Sequence, residues 1–250
     1  MKRILLLCSV FVLFAVNVSA QKDQKDKPWT EWSQKEAMKV LADSAWAQTQ
    51  TEFTETQAAG GSSTITKTQS RNEVDLKNAG KTESGETLGQ KAAALKTLYH
   101  VGFLTSKPVR AAFVRLIELQ KPESPADEVA ARRAFVDRDL GDNIVVSLLV
   151  EGNDKNKTTP AKQALSAGTP ETFKDVVYLE RKDGKRLALK DYRAPVDAMG
   201  AKFIFPRMVD GQPFLDANSG EVRVNMEINK TKVIRKFKVA EMMYDGKLEY

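Results

Sequence analysis

Alternation of apolar and polar residues dominates the C-terminal half of the chain. Across 221–228, apolar side chains occupy every second position: Val222, Val224, Met226 and Ile228. A period of two is typical of a strand with one buried face. Two further runs, 176–181 and 185–192, flank an Asp-Gly dipeptide at 183–184, which favours a tight hairpin turn. The pattern predicts an antiparallel sheet.

Other segments carry a helical spacing or a continuous apolar run. Ser33, with Glu36 three residues later, matches the capping box at the start of a helix. A second helix is predicted to begin after Ser106, and its apolar stripe consists of Val109, Ala112, Phe113, Leu116 and Ile117. Residues 126–135 predict a third, short helix. Segment 153–170 is polar and predicts a loop.

These elements together predict an α+β fold, mainly antiparallel β-sheet with two or three short helices. A sandwich is one arrangement that would bury about seven or eight such strands. Its core would contain Phe103, Val146, Leu148, Leu179, Phe203, Phe205, Val224 and Phe237.

Changes in composition divide the chain into four parts. Residues 1–20 form a predicted signal peptide, 21–55 an N-terminal helix and strand, 56–91 a polar flexible segment, and 92–250 a helix-decorated antiparallel β domain. The polar segment has few large apolar side chains to offset the entropy lost on ordering. It is predicted to be either a long flexible loop or an extended polar hairpin.

The first twenty residues have the organisation of a secretory signal peptide. Lys2 and Arg3 precede an apolar run over 4–16, and small residues end at Ala20. The run is shorter than the roughly 20 apolar residues that span a bilayer. We therefore predict cleavage after Ala20, no stable transmembrane anchor, and a periplasmic or secreted mature protein.

Cleavage would also remove Cys8, the one cysteine of the chain. A cysteine-free mature chain excludes a disulfide framework, a thiolate nucleophile and a cysteine metal site. A secreted chain without disulfides favours a bacterial envelope. The charge of +6 comes from basic residues interspersed with acidic ones, which is typical of a solvated surface.

Few motifs point to catalysis or to a cofactor. The chain has one histidine, His100, for which we expect a structural or surface role. Nucleophile-elbow, P-loop and dinucleotide-glycine motifs are absent from the sequence. We therefore predict no catalytic, cofactor-binding or metal-binding residues, no cofactor and no nucleic-acid partner. A pair of carboxylates acting in hydrolysis stays open, because the acidic residues are numerous.

Two groups of residues are candidate partner surfaces. The tryptophans lie close together near the mature N-terminus: Trp29, Trp32 and Trp46. Exposed, they would suit a partner or a glycan, whereas the alternative is that they dock the first helix onto the sheet. A basic cluster could bind an anionic partner or could be a charged strand face: Lys230, Lys232, Arg235, Lys236 and Lys238.

Four short segments resemble uncharacterised secreted bacterial proteins. They are 29–37 (WTEWSQKEA), 43–47 (DSAWA), 201–206 (AKFIFP) and 246–250 (GKLEY). The resemblance implies a secreted domain and carries no activity or site. We predict an exported, non-catalytic binding or structural module of the bacterial cell envelope, with another envelope protein as one possible partner. The alternatives are a carboxylate-dependent envelope hydrolase and a peripheral binder of anionic lipid or polymer.

Overall fold

Antiparallel strand pairing organises the computed structural model, which describes residues 27–54, 66–70 and 95–250. The strands are β1 (Ala47–Thr54), β2 (Thr66–Ser70), β3 (Leu95–Phe103), β4 (Asn143–Gly152), β5 (Val177–Arg181), β6 (Arg186–Ala188), β7 (Asp191–Arg193), β8 (Ala201–Pro206), β9 (Met208–Val209), β10 (Gln212–Pro213), β11 (Glu221–Ile228), β12 (Thr231–Lys238), β13 (Met243–Tyr244) and β14 (Lys247–Leu248).

Helices supply the remaining regular structure. They are α1 (Gln34–Ala42), α2 (Lys107–Gln120), α3 (Ala126–Val136), α4 (Lys155–Ala167) and α5 (Pro170–Phe173), with 3₁₀ turns at Trp29–Glu31 and Val239–Glu241. The described residues thus contain more helices than the two or three predicted. None of these helices is both long and apolar enough to cross a membrane.

Two sheets face each other across one core. The first has the strand order β2-β1-β3-β4-β8-β7 and the second β12-β11-β5-β6, and neighbouring strands are antiparallel throughout. The α+β fold with antiparallel sheets is therefore confirmed. All eight predicted core residues are buried in the cluster between the sheets. Phe103 of β3 meets Phe237 of β12 edge to face, with ring centres 5.0 Å apart.

Glutamine side chains of β1 join the two sheets along one side. Gln50 Nε2 donates to Lys232 O at 2.8 Å, and its Oε1 accepts from Ile234 N at 3.0 Å. Gln48 Nε2 donates to Lys236 O at 2.7 Å. These bonds satisfy backbone groups of β12 that have no neighbouring strand within the second sheet.

A helical layer covers the opposite, outer face of the six-stranded sheet. The capping box at the start of α1 is confirmed, because Ser33 Oγ accepts from Glu36 N at 3.3 Å and Glu36 Oε2 accepts from Ser33 N at 2.6 Å. The buried faces of α1 and α2 pack on each other with Trp32, Ala37, Val40, Ala111, Ala112 and Val114. Val109 of α2 then contacts the sheet beside Ala47.

Helix α4 replaces the loop predicted over 153–170, so that prediction is wrong. Asp154 caps the helix by accepting from Asn156 N at 3.1 Å. Ala161 and Leu165, four residues apart, pack into the core between the sheets. The sequence window is polar because only one face of the helix, with Thr158, Ala161 and Leu165, is buried.

The signal peptide predicted over 1–20 lies outside the described residues. Of the segment 56–91, the structure describes 66–70, which form β2 against β1 with Thr54 opposite Thr66. The rest of that segment also lies outside the described residues, so its two predicted arrangements stay predictions.

Candidate functional site: a pocket on the outer face of the six-stranded sheet

A pocket of about 160 Å³ lies between the helical layer and the outer face of the six-stranded sheet. Its helical wall is apolar and comprises Met38, Leu41 and Ala42 of α1 with Val109, Phe113 and Leu116 of α2. Met199 and Leu149 complete the apolar surface. An apolar cavity of roughly 150 Å³ can hold a molecule the size of benzene. The pocket therefore has room for one small apolar group. We call it the outer-face pocket.

Small residues on three adjacent strands form the floor of the outer-face pocket. Ala47 of β1 lies opposite Gly102 of β3, and Gly102 lies opposite Ser147 of β4. A Cβ atom built on Gly102 would lie 3.3 Å from the Ala47 Cβ and 3.6 Å from the Ser147 Oγ. Larger side chains along this row would fill the space between sheet and helices, so the small row keeps the pocket open.

A polar row lies next to this floor and closes one end of the pocket. Thr49 of β1 is opposite His100 of β3, and their Oγ1 and Nδ1 atoms are 2.9 Å apart. The Thr49 hydroxyl donates to Ala42 O at 3.1 Å. On the other side of the imidazole, His100 Nε2 lies 3.3 Å from Glu151 Oε2. The row thus runs from a hydroxyl through an imidazole to a carboxylate.

Two hydrogen-bonding patterns fit this row, and each corresponds to one tautomer of a neutral His100. If Thr49 donates its hydroxyl proton to Ala42 O, His100 Nδ1 donates to Thr49 Oγ1 and Nε2 carries a lone pair. If Thr49 donates to Nδ1, Nε2 carries the proton and faces Glu151 Oε2 at 3.3 Å. The second pattern avoids placing a lone pair against the carboxylate.

The pocket lining includes His100 and Glu151 of this row, whereas Thr49 is not among the lining residues. The row therefore brings an imidazole and a carboxylate to the end of an apolar pocket, which suits binding.

Burial lowers the pKa of His100, and the nearby Glu151 carboxylate opposes that shift without reversing it. We expect the ring Cε1–H resonance of His100, unambiguous because the chain has one histidine, to titrate by NMR with a midpoint below 6.5. In Glu151→Gln the midpoint should fall further, because the attraction for the imidazolium is removed. A midpoint above 6.5 would contradict this balance.

The same shift links pH to stability. Since the folded-state pKa of His100 is depressed, its neutral form contributes stability above pH 6.5, the unfolded value. That contribution is lost as pH falls through the folded-state pKa. Unfolding measured from neutral to acid pH should therefore depend less steeply on pH in His100→Gln.

Sequence reasoning identified His100 but missed its two neighbours in the row. The sequence predicted a structural or surface role for His100. In the structure it is partly exposed and lines the pocket. Thr49 and Glu151 lie 51 positions before and after it and belong to other strands. The signal available was strand parity, which puts Leu149 and Glu151 on one face of β4, but the strand register was unknown.

The three tryptophans are not brought together on one exposed surface. Trp32 is 2 % exposed and belongs to the core of the helical layer, and its Nε1 donates to Lys27 O at 3.2 Å. Trp29 packs beside it, half-buried. Trp46 lies elsewhere, edge-on to Tyr244 with ring centres 6.2 Å apart. Two of the three thus help dock the first helix.

The basic cluster is divided between two environments. Four of its members are exposed along or beside β12: Lys230, Lys232, Lys236 and Lys238. Arg235 is buried on the opposite face of the strand, where its Nε donates to Gln48 Oε1 at 3.1 Å. Lys238 pairs with Glu241 at 2.9 Å. The exposed part is therefore a charged strand face that includes acidic partners.

Two buried acids near the end of β1 bear on the hydrolase alternative. Glu52 pairs with Lys157 of α4 at 3.2 Å. Asp154 accepts from Thr54 Oγ1 at 2.7 Å and caps α4. Neither acid lines the outer-face pocket. Their contacts hold β1 against α4, which is a structural role.

A second, polar pocket of about 460 Å³ lies where α2 begins, near the C-terminal residues. Its charged groups contact one another: Lys107 pairs with Asp137 at 2.8 Å, and Arg207 donates to Tyr250 O. Within the described ranges no cluster of three or more histidine, cysteine or acidic side chains could hold a metal ion. The outer-face pocket is the better candidate because it joins apolar walls to an imidazole and a half-exposed carboxylate.

Comparisons of the chain with models of known families, with curated protein sequences and with solved structures find no match.

Proposed function

We propose that this chain is an exported, non-catalytic binding module of the bacterial cell envelope, and that it binds a small, largely apolar molecule in the outer-face pocket. The observation that carries the proposal is the pocket itself: apolar walls, a floor of small residues and one polar end. Pockets that bind small molecules combine these features. The absence of nucleophile and cofactor motifs from the sequence supports binding over catalysis.

Two methionines make the wall adaptable. Met38 is 53 % exposed at the rim, and Met199 is half-buried at the opposite side. Methionine has an unbranched, polarisable side chain that repacks around different ligands. The small-residue floor is held by backbone pairing between β1, β3 and β4. A floor held by strand pairing and an adaptable rim support binding of a small apolar ligand.

The export part of the proposal rests on the sequence of residues 1–20. The full chain, produced in a bacterium, should give a periplasmic or secreted form whose mass begins at Gln21. A charge in the apolar run, Leu6→Arg, should leave the chain uncleaved and inside the cell. Leu6→Ile keeps the run apolar and should be processed normally. An uncleaved exported wild-type chain would contradict the proposal.

Binding is tested with the mature chain carrying ¹³C-labelled methionine methyl groups and with benzyl alcohol as the probe. The Met38 and Met199 resonances should shift and saturate, with a dissociation constant on the order of 1 mM for so small a probe. Met226 and Met242 are buried between the two sheets and should not shift. Shifts spread over all four methionines would indicate non-specific binding and would contradict the proposal.

A matched pair of variants assigns the binding to the pocket. Leu149→Trp puts a large ring into the pocket and should abolish the shifts. Ile204→Trp makes the same kind of change on the same outer sheet face, but outside the pocket. It should retain binding of benzyl alcohol.

A further inference from the structure

We propose that the outer-face pocket selects a small apolar molecule that carries a primary ammonium group, and that the Glu151 carboxylate binds this group. The inference rests on the proposed function, since it names the ligand class of the same pocket. Its basis is the charge and the hydrogen-bonding capacity of the polar end.

Within the described part of the chain, the pocket lining contains one acidic side chain and no lysine or arginine. Glu151 lies near the end of β4, and its side chain is 55 % exposed at the pocket rim. Within the described residues, its one ion-pair partner is His100. Since burial lowers the pKa of His100, the imidazole does not neutralise Glu151 at neutral pH. The polar end therefore carries a net negative charge.

The Glu151 carboxylate can accept further hydrogen bonds. Its Oε2 lies 3.3 Å from His100 Nε2, and a carboxylate has about four lone-pair sites, so acceptor positions remain beside this contact. An ammonium group has three donors and no acceptor, so it complements a carboxylate. A ligand carboxylate would add acceptors and a like charge. A hydroxyl would supply one donor and no charge.

Lysines on the same sheet face do not supply the missing charge. Lys202 of β8 is paired with Asp197 at 2.8 Å. Lys96 of β3 is exposed and forms no ion pair with Glu151, both residues being described. Among the residues that the structure describes, no lysine or arginine forms an ion pair with the Glu151 carboxylate.

The apolar part of the ligand is limited by the volume of the pocket. The pocket has a volume of about 160 Å³ and is bounded by Phe113, Met38 and Met199. This volume has room for one ring or a short alkyl chain. The apolar walls and Glu151 belong to one continuous lining. One apolar group joined through a short link to an ammonium group therefore matches both parts. Benzylamine, protonated at neutral pH, is the simplest probe with this design.

The experiment compares benzylamine, benzyl alcohol and benzoate at about pH 7.5 and low salt, again through the Met38 and Met199 methyl shifts. A charge-assisted hydrogen bond is about twice as strong as a neutral one, so we expect benzylamine to bind about tenfold more tightly than benzyl alcohol. Benzoate should bind most weakly. High salt should reduce the preference for the amine, because the carboxylate is half-exposed.

Glu151→Gln keeps the shape of the side chain and removes its charge. In this variant the preference of benzylamine over benzyl alcohol should fall from about tenfold to twofold or less. Glu227→Gln removes an exposed carboxylate from β11 of the other sheet. It is the matched control and should leave the preference intact.

The outcomes separate this inference from the proposed function. If benzyl alcohol binds and benzylamine binds no more tightly, the inference is wrong and the proposed function stands. The inference is also wrong if benzoate binds most tightly, or if Glu151→Gln retains the preference for the amine. If none of the probes shifts Met38 and Met199, the proposed function and the inference fail together.

Discussion

Replacing Phe103 by alanine lowers the free energy of unfolding by about 3–5 kcal/mol, the usual cost of removing a buried phenylalanine ring. Phe103 is fully buried, and its ring packs edge to face on Phe237 of the opposite sheet. The loss combines the transfer of apolar surface with a cavity at the centre of the two-sheet core. Chemical denaturation monitored by circular dichroism measures this change.

Two comparisons sharpen the Phe103 experiment. Val196→Ala changes a side chain that is 88 % exposed and should alter stability by no more than about 0.5 kcal/mol. In a double-mutant cycle, Phe103→Ala and Phe237→Ala should show a favourable coupling of about 0.5–1.5 kcal/mol for the ring pair. A loss below about 1 kcal/mol for Phe103→Ala would mean that the two sheets do not share one core.

Replacing Arg110 by methionine should cost about 3 kcal/mol or more, because it leaves buried carbonyl groups without donors. Arg110 is buried at the start of α2. Its Nη2 donates to Val136 O at 2.9 Å, and its Nη1 donates to Leu104 O at 3.3 Å and to Thr105 O. One guanidinium thus joins the end of β3 to the end of α3.

Replacing Arg110 should affect ligand binding in the outer-face pocket as well as the free energy of unfolding. Arg110 precedes Phe113 of the pocket wall by one helical turn. We therefore expect weaker binding of benzyl alcohol in Arg110→Met, measured in parallel with denaturation. Arg193→Met removes an exposed arginine that pairs with Asp191, and should change stability by about 0.5 kcal/mol or less. Equal effects of the two variants would contradict the role given to Arg110.

Local patterns predicted the strands well where one face of the strand is buried and the other is exposed to solvent. The alternating run over 221–228 coincides with β11, and the Asp-Gly dipeptide lies between β5 and β6. The capping box at Ser33 begins α1. In each case the physical cause acts within a few residues, through strand parity, turn geometry or a side chain that binds its own helix end.

Contacts between distant segments could not be predicted in this way. Arg235 was grouped with exposed lysines, yet it shares the inward parity of Val233 and Phe237 and is buried. Its polar partner Gln48 lies 187 residues away. The polar row of the pocket depends likewise on the register of three strands. The odd or even position of a residue in a strand tells which face of the sheet its side chain lies on. Which residue lies next to it on the neighbouring strand follows only from the register.

The glutamine bonds between β1 and β12 join two parts of the chain that are far apart in sequence. Gln50 forms hydrogen bonds with Lys232 and Ile234, which lie 182 and 184 residues later in the sequence. These bonds can form only when nearly the whole chain has been synthesised. Contacts of such long range are slow to form. Until β12 arrives, the inner side of β1 has no partner strand edge to bind. The join between the two sheets on the β1 side therefore forms only after β12 has been synthesised.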